Sequence, residues 1–250
     1  MAARTFILVG FIALAVLAWS FLWQSEVAMS TMSGASPLAG LMRIMMQPHA
    51  TGPYLAATAA MWVVMMIAMM TPAVLPVVLV FWRLERGGTA RHVRDGALFG
   101  SSYLVVWCLL GGIMALLQWG LQRSDLLHPH LLEVGPIFAA WLAIGAGIYQ
   151  GTALKARCLS HCQSPVGFLM SHWKPGAVGA LRMGIAHGVY CVGCCWALML
   201  LMFAGGVMSV GVMLAVSGFI LLERLLPARL WATKLPSVLL IGWGVFKLVV

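Results

Sequence analysis

Within one short stretch, His187-Gly-Val-Tyr-Cys191-Val-Gly-Cys194-Cys195, an imidazole and three thiols follow one another at offsets of 4, 7 and 8 from the histidine. On an α-helix these offsets share one face, an arc of about 100°. Thiolates and imidazoles are ligands for copper and zinc, and soft thiolates favour Cu(I). Copper is therefore the expected ion, with zinc second. The four groups extend over about 12 Å of helix axis. One straight helix cannot bring them all to a single ion, so another element must contribute. The plain alternative is packing, because a free cysteine behaves as a small hydrophobe. Three cysteines within five residues, with an ionisable histidine on the same face of an apolar segment, argue instead for a site.

A second cluster, Cys158-Leu-Ser-His161-Cys162, offers offsets of 3 and 4, which converge if the stretch is helical. Methionine supplies a third group of soft donors. Met61, Met65 and Met69 repeat at intervals of four, as do Met66 and Met70. Thioethers bind Cu(I) without losing a proton, although methionine is also flexible core filler. Met65, Met66, Met69 and Met70 join His187, Cys191, Cys194, Cys195, Cys158, His161 and Cys162 as expected metal ligands. Met42, Met46 and His49 share a face if their segment is helical, and would capture an ion outside. Glu223, at the end of an apolar run, reads first as one half of a charged pair at a helix end.

The leading expectation is a copper-binding membrane protein acting in transport, insertion or homeostasis, with a metallochaperone or a copper enzyme as partner. The alternatives are a redox dithiol, Cys191-x-x-Cys194, exchanging electrons with a membrane quinone, and a membrane metalloenzyme. No P-loop pattern occurs, which argues against ATP-driven transport. No Cys-x-x-Cys-His occurs, which argues against covalent c-type haem.

The elements that must position these groups are apolar helices. Hydrophobic residues make up 62% and charged residues 8% of the 250, too few charges to coat a soluble fold. The lipid bilayer is the expected solvent, and 1–250 reads as one integral-membrane domain. Segments near the length of a transmembrane helix are roughly Phe6–Trp23, Tyr54–Trp82, Ala97–Gln122, Pro136–Leu154, Leu181–Gly205, Val207–Leu222 and Pro236–Val250. The first ends in Trp19, Phe21 and Trp23 rather than a small-residue cleavage site, so it reads as a retained anchor. The net charge of +9 lies in short clusters between these runs, not in a basic helix or tail, so no nucleic acid is expected. With the N-terminus inside, twelve Lys and Arg fall on the cytoplasmic side, including Arg86 and Arg229, against Arg43, Arg123 and Lys247 outside. That asymmetry predicts an all-α, polytopic bundle of about seven helices, N-in and C-out. Residues 24–53 become an outer loop and 155–180 a cytoplasmic loop carrying the Cys158–Cys162 cluster.

Three stretches carry a resemblance: Met65-Met66-Ile-Ala-Met69-Met70-Thr-Pro72-Ala73, Lys155-Ala-Arg-Cys158-Leu-Ser-His161-Cys162-Gln-Ser-Pro165, and Gly184-Ile-Ala-His187-Gly-Val-Tyr190-Cys191-Val-Gly193-Cys194-Cys195-Trp196. With Leu222-Glu223-Arg224 and Pro227, they make the chain resemble a bacterial family of predicted metal-binding integral membrane proteins, a domain of unknown function. The resemblance implies a metal site and a multi-pass protein of the bacterial inner membrane. It implies no particular reaction.

Overall fold

A computed structural model describes residues 2–31, 37–49, 51–84, 89–128, 132–226 and 230–249. Arg86, Pro227 and Arg229 lie outside the described residues, as do parts of the 24–53 stretch. The architecture is all-α with one small two-stranded ribbon. Helix α1 covers Ala2–Thr31, α2 Pro37–Met45, α3 Thr51–Leu84 and α4 Thr89–Arg123. The ribbon pairs β1, Leu127–His128, with β2, Glu133–Val134. Then follow α5 (Pro136–Gln150), α6 (Ala153–Gln163), α7 (Pro165–His172), α8 (Gly176–Leu200), the single turn α9 (Met202–Gly205), α10 (Val210–Leu225) and α11 (Leu230–Val249). Among the described residues, four helices are long and apolar enough to cross a membrane, or up to five if the bent pair α5–α6 is one span. The expected sixth and seventh segments are helical too, the 16-residue α10 and the 20-residue α11, but neither is among the candidate spans of the described residues.

Local chemistry explains where the helices break. The apolar run beginning at Pro136 stops at Gln150 rather than Leu154. Gly151 closes α5 by donating its N–H to the Ile148 carbonyl (3.1 Å), and the Thr152 hydroxyl accepts from the Lys155 N–H (3.2 Å) to start α6. The two axes differ by 68°. Ser164 and Ser209 cap α7 and α10 in the same way, and Pro165 opens α7 at a position needing no donor. The 24–53 stretch, expected as a loop, carries the end of α1, the amphipathic α2 and the start of α3. The 155–180 stretch carries most of α6, all of α7 and the first turn of α8.

Helix α3 runs through the core and is buried along most of its length. It packs on α1 and α4, α4 packs on α8, α8 on α6, and α5 on α11. Pro72 and Pro76 interrupt its hydrogen-bond ladder. Pro72 has no N–H for the Ala68 carbonyl and its ring crowds the turn before it. Trp19 of α1 donates to Ala68 O (3.1 Å) and Ser217 of α10 donates to Met69 O (3.3 Å). Ahead of Pro76, Arg224 donates through Nη1 to Ala73 O (3.0 Å). Neighbouring helices thus satisfy carbonyls that prolines loosen, as apolar surroundings require. Near the other end, Trp62 donates to Gln118 Oε1 (2.8 Å) and Tyr54 to Gln122 Oε1 (2.5 Å), tying α3 to α4.

Candidate metal centre

Helix α8 begins after Pro175 and presents Met183, His187, Cys191, Cys194 and Cys195 on its buried side. Close approach to its neighbours depends on glycines, among them Gly188, where a Cβ would lie 2.9 Å from Val106 Cβ of α4. A Cβ at Gly184 would collide with the Ser102 hydroxyl and the Phe99 carbonyl of α4. A Cβ at Gly193 would lie 2.7 Å from Cys158 Sγ of α6. The contact at Gly193 lets α6 lie along α8 with its cysteines facing the α8 thiols. Tyr149 reinforces the seam by donating to the Gly193 carbonyl.

Three sulfurs meet there. The Sγ atoms of Cys162, Cys191 and Cys194 all lie within 4.8 Å of one another, and all three residues are buried. Cys194 Sγ is 3.9 Å from Cys162 Sγ. With metal–sulfur bonds of about 2.3 Å, two thiolates sharing an ion sit about 3.8 Å apart. The trio therefore needs only small side-chain rotations to surround one ion. Among the described residues no other set of three His, Cys, Asp or Glu comes this close. All six cysteines are free thiols.

The remaining expected ligands are distributed around this trio. Cys195 is fully buried and its thiol donates to the Cys191 carbonyl (2.9 Å), as does that of Cys194 (3.0 Å). Cys158 is half-buried against Gly193. His187 is fully buried among the rings of Phe168 (5.0 Å between centroids), Tyr103 (5.6 Å) and Phe99 (6.2 Å), and neither ring nitrogen has a hydrogen-bond partner. His161 stacks on Tyr190 of α8 at 4.1 Å and 3°, outside the sulfur trio. Met65, Met66, Met69 and Met70 are wholly buried on α3, in the same apolar core as the cysteines. Met42 is buried in that core too, whereas His49 is exposed, so the outer set is divided between core and surface.

Two residues at the centre have no signal in the cysteine pattern. Tyr103 of α4 places its hydroxyl 3.1 Å from Cys191 Sγ. Arg224, at the end of α10, donates through Nη2 to the same sulfur while Nη1 holds Ala73 O. Its neighbour Glu223 turns the other way and forms an ion pair with Lys155 of α6 at 2.7 Å, both side chains buried. Gln150 bonds to both members of the pair, donating to Glu223 (3.0 Å) and accepting from Lys155. Gln163 covers the end of α10 by donating to the carbonyls of Glu223 (2.8 Å) and Leu226 (2.9 Å). Glu223 thus has the charged partner expected of it, but Lys155 supplies it rather than an adjacent surface residue.

Buried thiols drawn from two helices suit a soft metal ion, and the fixed cation beside Cys191 stabilises the thiolate that would bind it. A three-thiol set of this kind can hold Cu(I) or Zn(II), and thiolate ligation favours the former. Residues 59–247 match the model of a family described as PpoB2: Copper chaperone. No curated protein and no solved structure matches the chain.

Proposed function

We propose, for a chain that belongs to the PpoB2 copper chaperone family, that Cys162, Cys191 and Cys194 hold Cu(I) as cargo for delivery to a copper enzyme. The observation that carries this reading is the convergence of three buried sulfurs from α6 and α8 within 4.8 Å. Each thiol that becomes a ligand releases its proton. Three thiolates around one monovalent ion leave an excess of negative charge in an apolar setting, which is costly unless compensated. Arg224 supplies a positive charge to Cys191, and Tyr103 is placed to donate to the same sulfur. The methionines of α3 supply thioethers, softer to release than thiolates, along the adjoining helix. The surroundings of this carrier are a bacterial inner membrane, entered by several apolar helices, with the N-terminus in the cytoplasm. Its partners are the lipid bilayer, a metallochaperone that loads it and an enzyme that empties it.

The test is elemental analysis of detergent-purified protein, prepared with and without reductant. Copper retained under reducing conditions, and lost when Cys191→Ser replaces a soft thiolate with a hydroxyl, is the expected result. A metal-free protein with a reducible disulfide would replace this reading by a dithiol one, for which the 3.9 Å between Cys162 and Cys194 offers a pair other than the expected Cys191-x-x-Cys194. Zinc in place of copper would change the cargo.

A further inference from the structure

Beside the α6–α8 seam, His161 of α6 and His172 of α7 approach each other, with ring centroids 6.1 Å apart and planes at 71°. Each ring is held by the same device. His161 Nδ1 is 2.8 Å from the Arg157 carbonyl, and His172 Nδ1 is 3.1 Å from the Phe168 carbonyl. A carbonyl only accepts, and Ser171 Oγ, 2.9 Å from His172 Nδ1, gives its own hydrogen to the Gly167 and Phe168 carbonyls and so also accepts from that nitrogen; in this arrangement each Nδ1 carries the hydrogen and each Nε2 keeps its lone pair. Metal-binding histidines are prepared in this way, the second nitrogen donating to a carbonyl and fixing the tautomer. No hydrogen bond engages either Nε2 among the described residues.

Two imidazoles bound to one ion through nitrogens at about 2.0–2.1 Å place their centroids up to roughly 6.4 Å apart. The observed separation is within that reach. Both rings are partly exposed, and His161 lines a cavity of about 200 Å³ with Ser160, Ser164, Phe168 and Ser171. The pair is also next to the thiol trio in the chain. His161 precedes Cys162, and the ring it stacks on, Tyr190, precedes Cys191. Phe168 stacks on His172 (4.7 Å) and tilts against the buried His187 (5.0 Å), so one ring touches both an outer and the inner imidazole.

We infer that His161 and His172 form a second, accessible copper site, a port through which Cu(I) exchanges between the outside of the protein and the buried thiols. The inference rests on the cargo reading above. Exchange moves the ion from two neutral imidazole nitrogens to thiolates. Its oxidation state does not change and no electron moves. Each thiol that takes the ion gives one proton to water. A nitrogen site is the weaker holder of Cu(I) and the sulfur site the stronger, which sets the direction of filling.

The experiment is an anaerobic titration of the full chain in detergent with Cu(I) supplied as its bicinchoninate complex, followed by X-ray absorption at the copper edge. The wild type is expected to take a tight equivalent with sulfur neighbours and a weaker one with imidazole neighbours. His161→Gln and His172→Gln should each weaken the second equivalent by about tenfold or more, leave the first bound, and slow its release to the chelator. Cys191→Ser should do the reverse, keeping the nitrogen-bound ion and losing the sulfur-bound one. A wild type loaded to two equivalents with no imidazole scattering overturns the port. So does loss of both equivalents in the histidine variants at an unchanged unfolding temperature, which would assign the imidazoles to the thiol site itself. An unchanged tight equivalent in Cys191→Ser overturns the cargo reading instead, and the histidine variants judge the port separately.

Discussion

Cys191 receives more attention from its surroundings than any other sulfur in the centre. Tyr103 and Arg224 both contact it, from helices far apart in sequence. Replacing the guanidinium by an apolar chain of similar length, Arg224→Met, removes the fixed positive charge and also leaves Ala73 O without this donor. A hydrogen bond to a charged group contributes about 1.5–3 kcal/mol. Cu(I) affinity should therefore fall by roughly tenfold to a hundredfold, read by competition with a chromogenic chelator. Met66→Leu, which exchanges one buried apolar side chain for another, should change copper content only slightly in the same assay. The thiols are legible in the sequence because their spacing matches helical periodicity. Arg224 is not: it reads as one more cytoplasmic charge, and no offset connects positions 103, 191 and 224. His172 escapes for a similar reason, since it lies eleven residues from His161 and only the turn between α6 and α7 brings the rings together.

At the level of the helix, the pair Glu223–Arg224 holds three neighbours with two consecutive residues. Glu223 pairs with Lys155 of α6, while Arg224 reaches Cys191 of α8 and Ala73 of α3. Breaking a buried ion pair by removing one partner typically costs about 3–5 kcal/mol, because the other charge is stranded. Lys155→Met should lower the unfolding temperature of the purified protein markedly, whereas Lys155→Met with Glu223→Leu should recover most of the loss. Equal damage from the single and double variants would mean that the pair is not isolated from other charges. The helical character of nearly every segment is readable from apolar length alone. The break after Gln150 is not, although Gly151 and Thr152 are its causes and stand in the sequence. Apolar content runs on through that point, and hydropathy does not sense a cap. Helix α2 is hidden similarly by the Ser, Gly and Pro around it, although Ala39, Met42 and Met45 mark its buried side.

For the molecule as a whole, charge asymmetry and helix length bear on topology in different ways. The seven apolar segments and the charge asymmetry imply seven crossings, N-in and C-out, while among the described residues four helices, or five with the bent pair, are long and apolar enough to cross. Reporter fusions decide between such arrangements. Fusions after Leu84 and Leu225 should report cytoplasm, and one after His128 should report the far side. The reverse result at two of these points would reject the N-in arrangement. The two counts differ because α10 has 16 residues and α5 has 15, both short of the about 20 needed to cross unaided.

The last turn of α10 contributes no proposed copper ligand, yet it touches both ligand-bearing helices. Equilibria linked in this way are reciprocal. If the grip of Glu223 and Arg224 keeps the sulfurs within range of one ion, an ion bridging the sulfurs must in turn steady that grip. Amide hydrogens near the end of α10 should then exchange with deuterium more slowly once Cu(I) is bound. Those of the two ribbon strands, Leu127–His128 and Glu133–Val134, which make no hydrogen bond to the thiols among the described residues, should keep their rates. Mass spectrometry of the two forms would record the difference as an imprint of the cargo on a segment that never meets it.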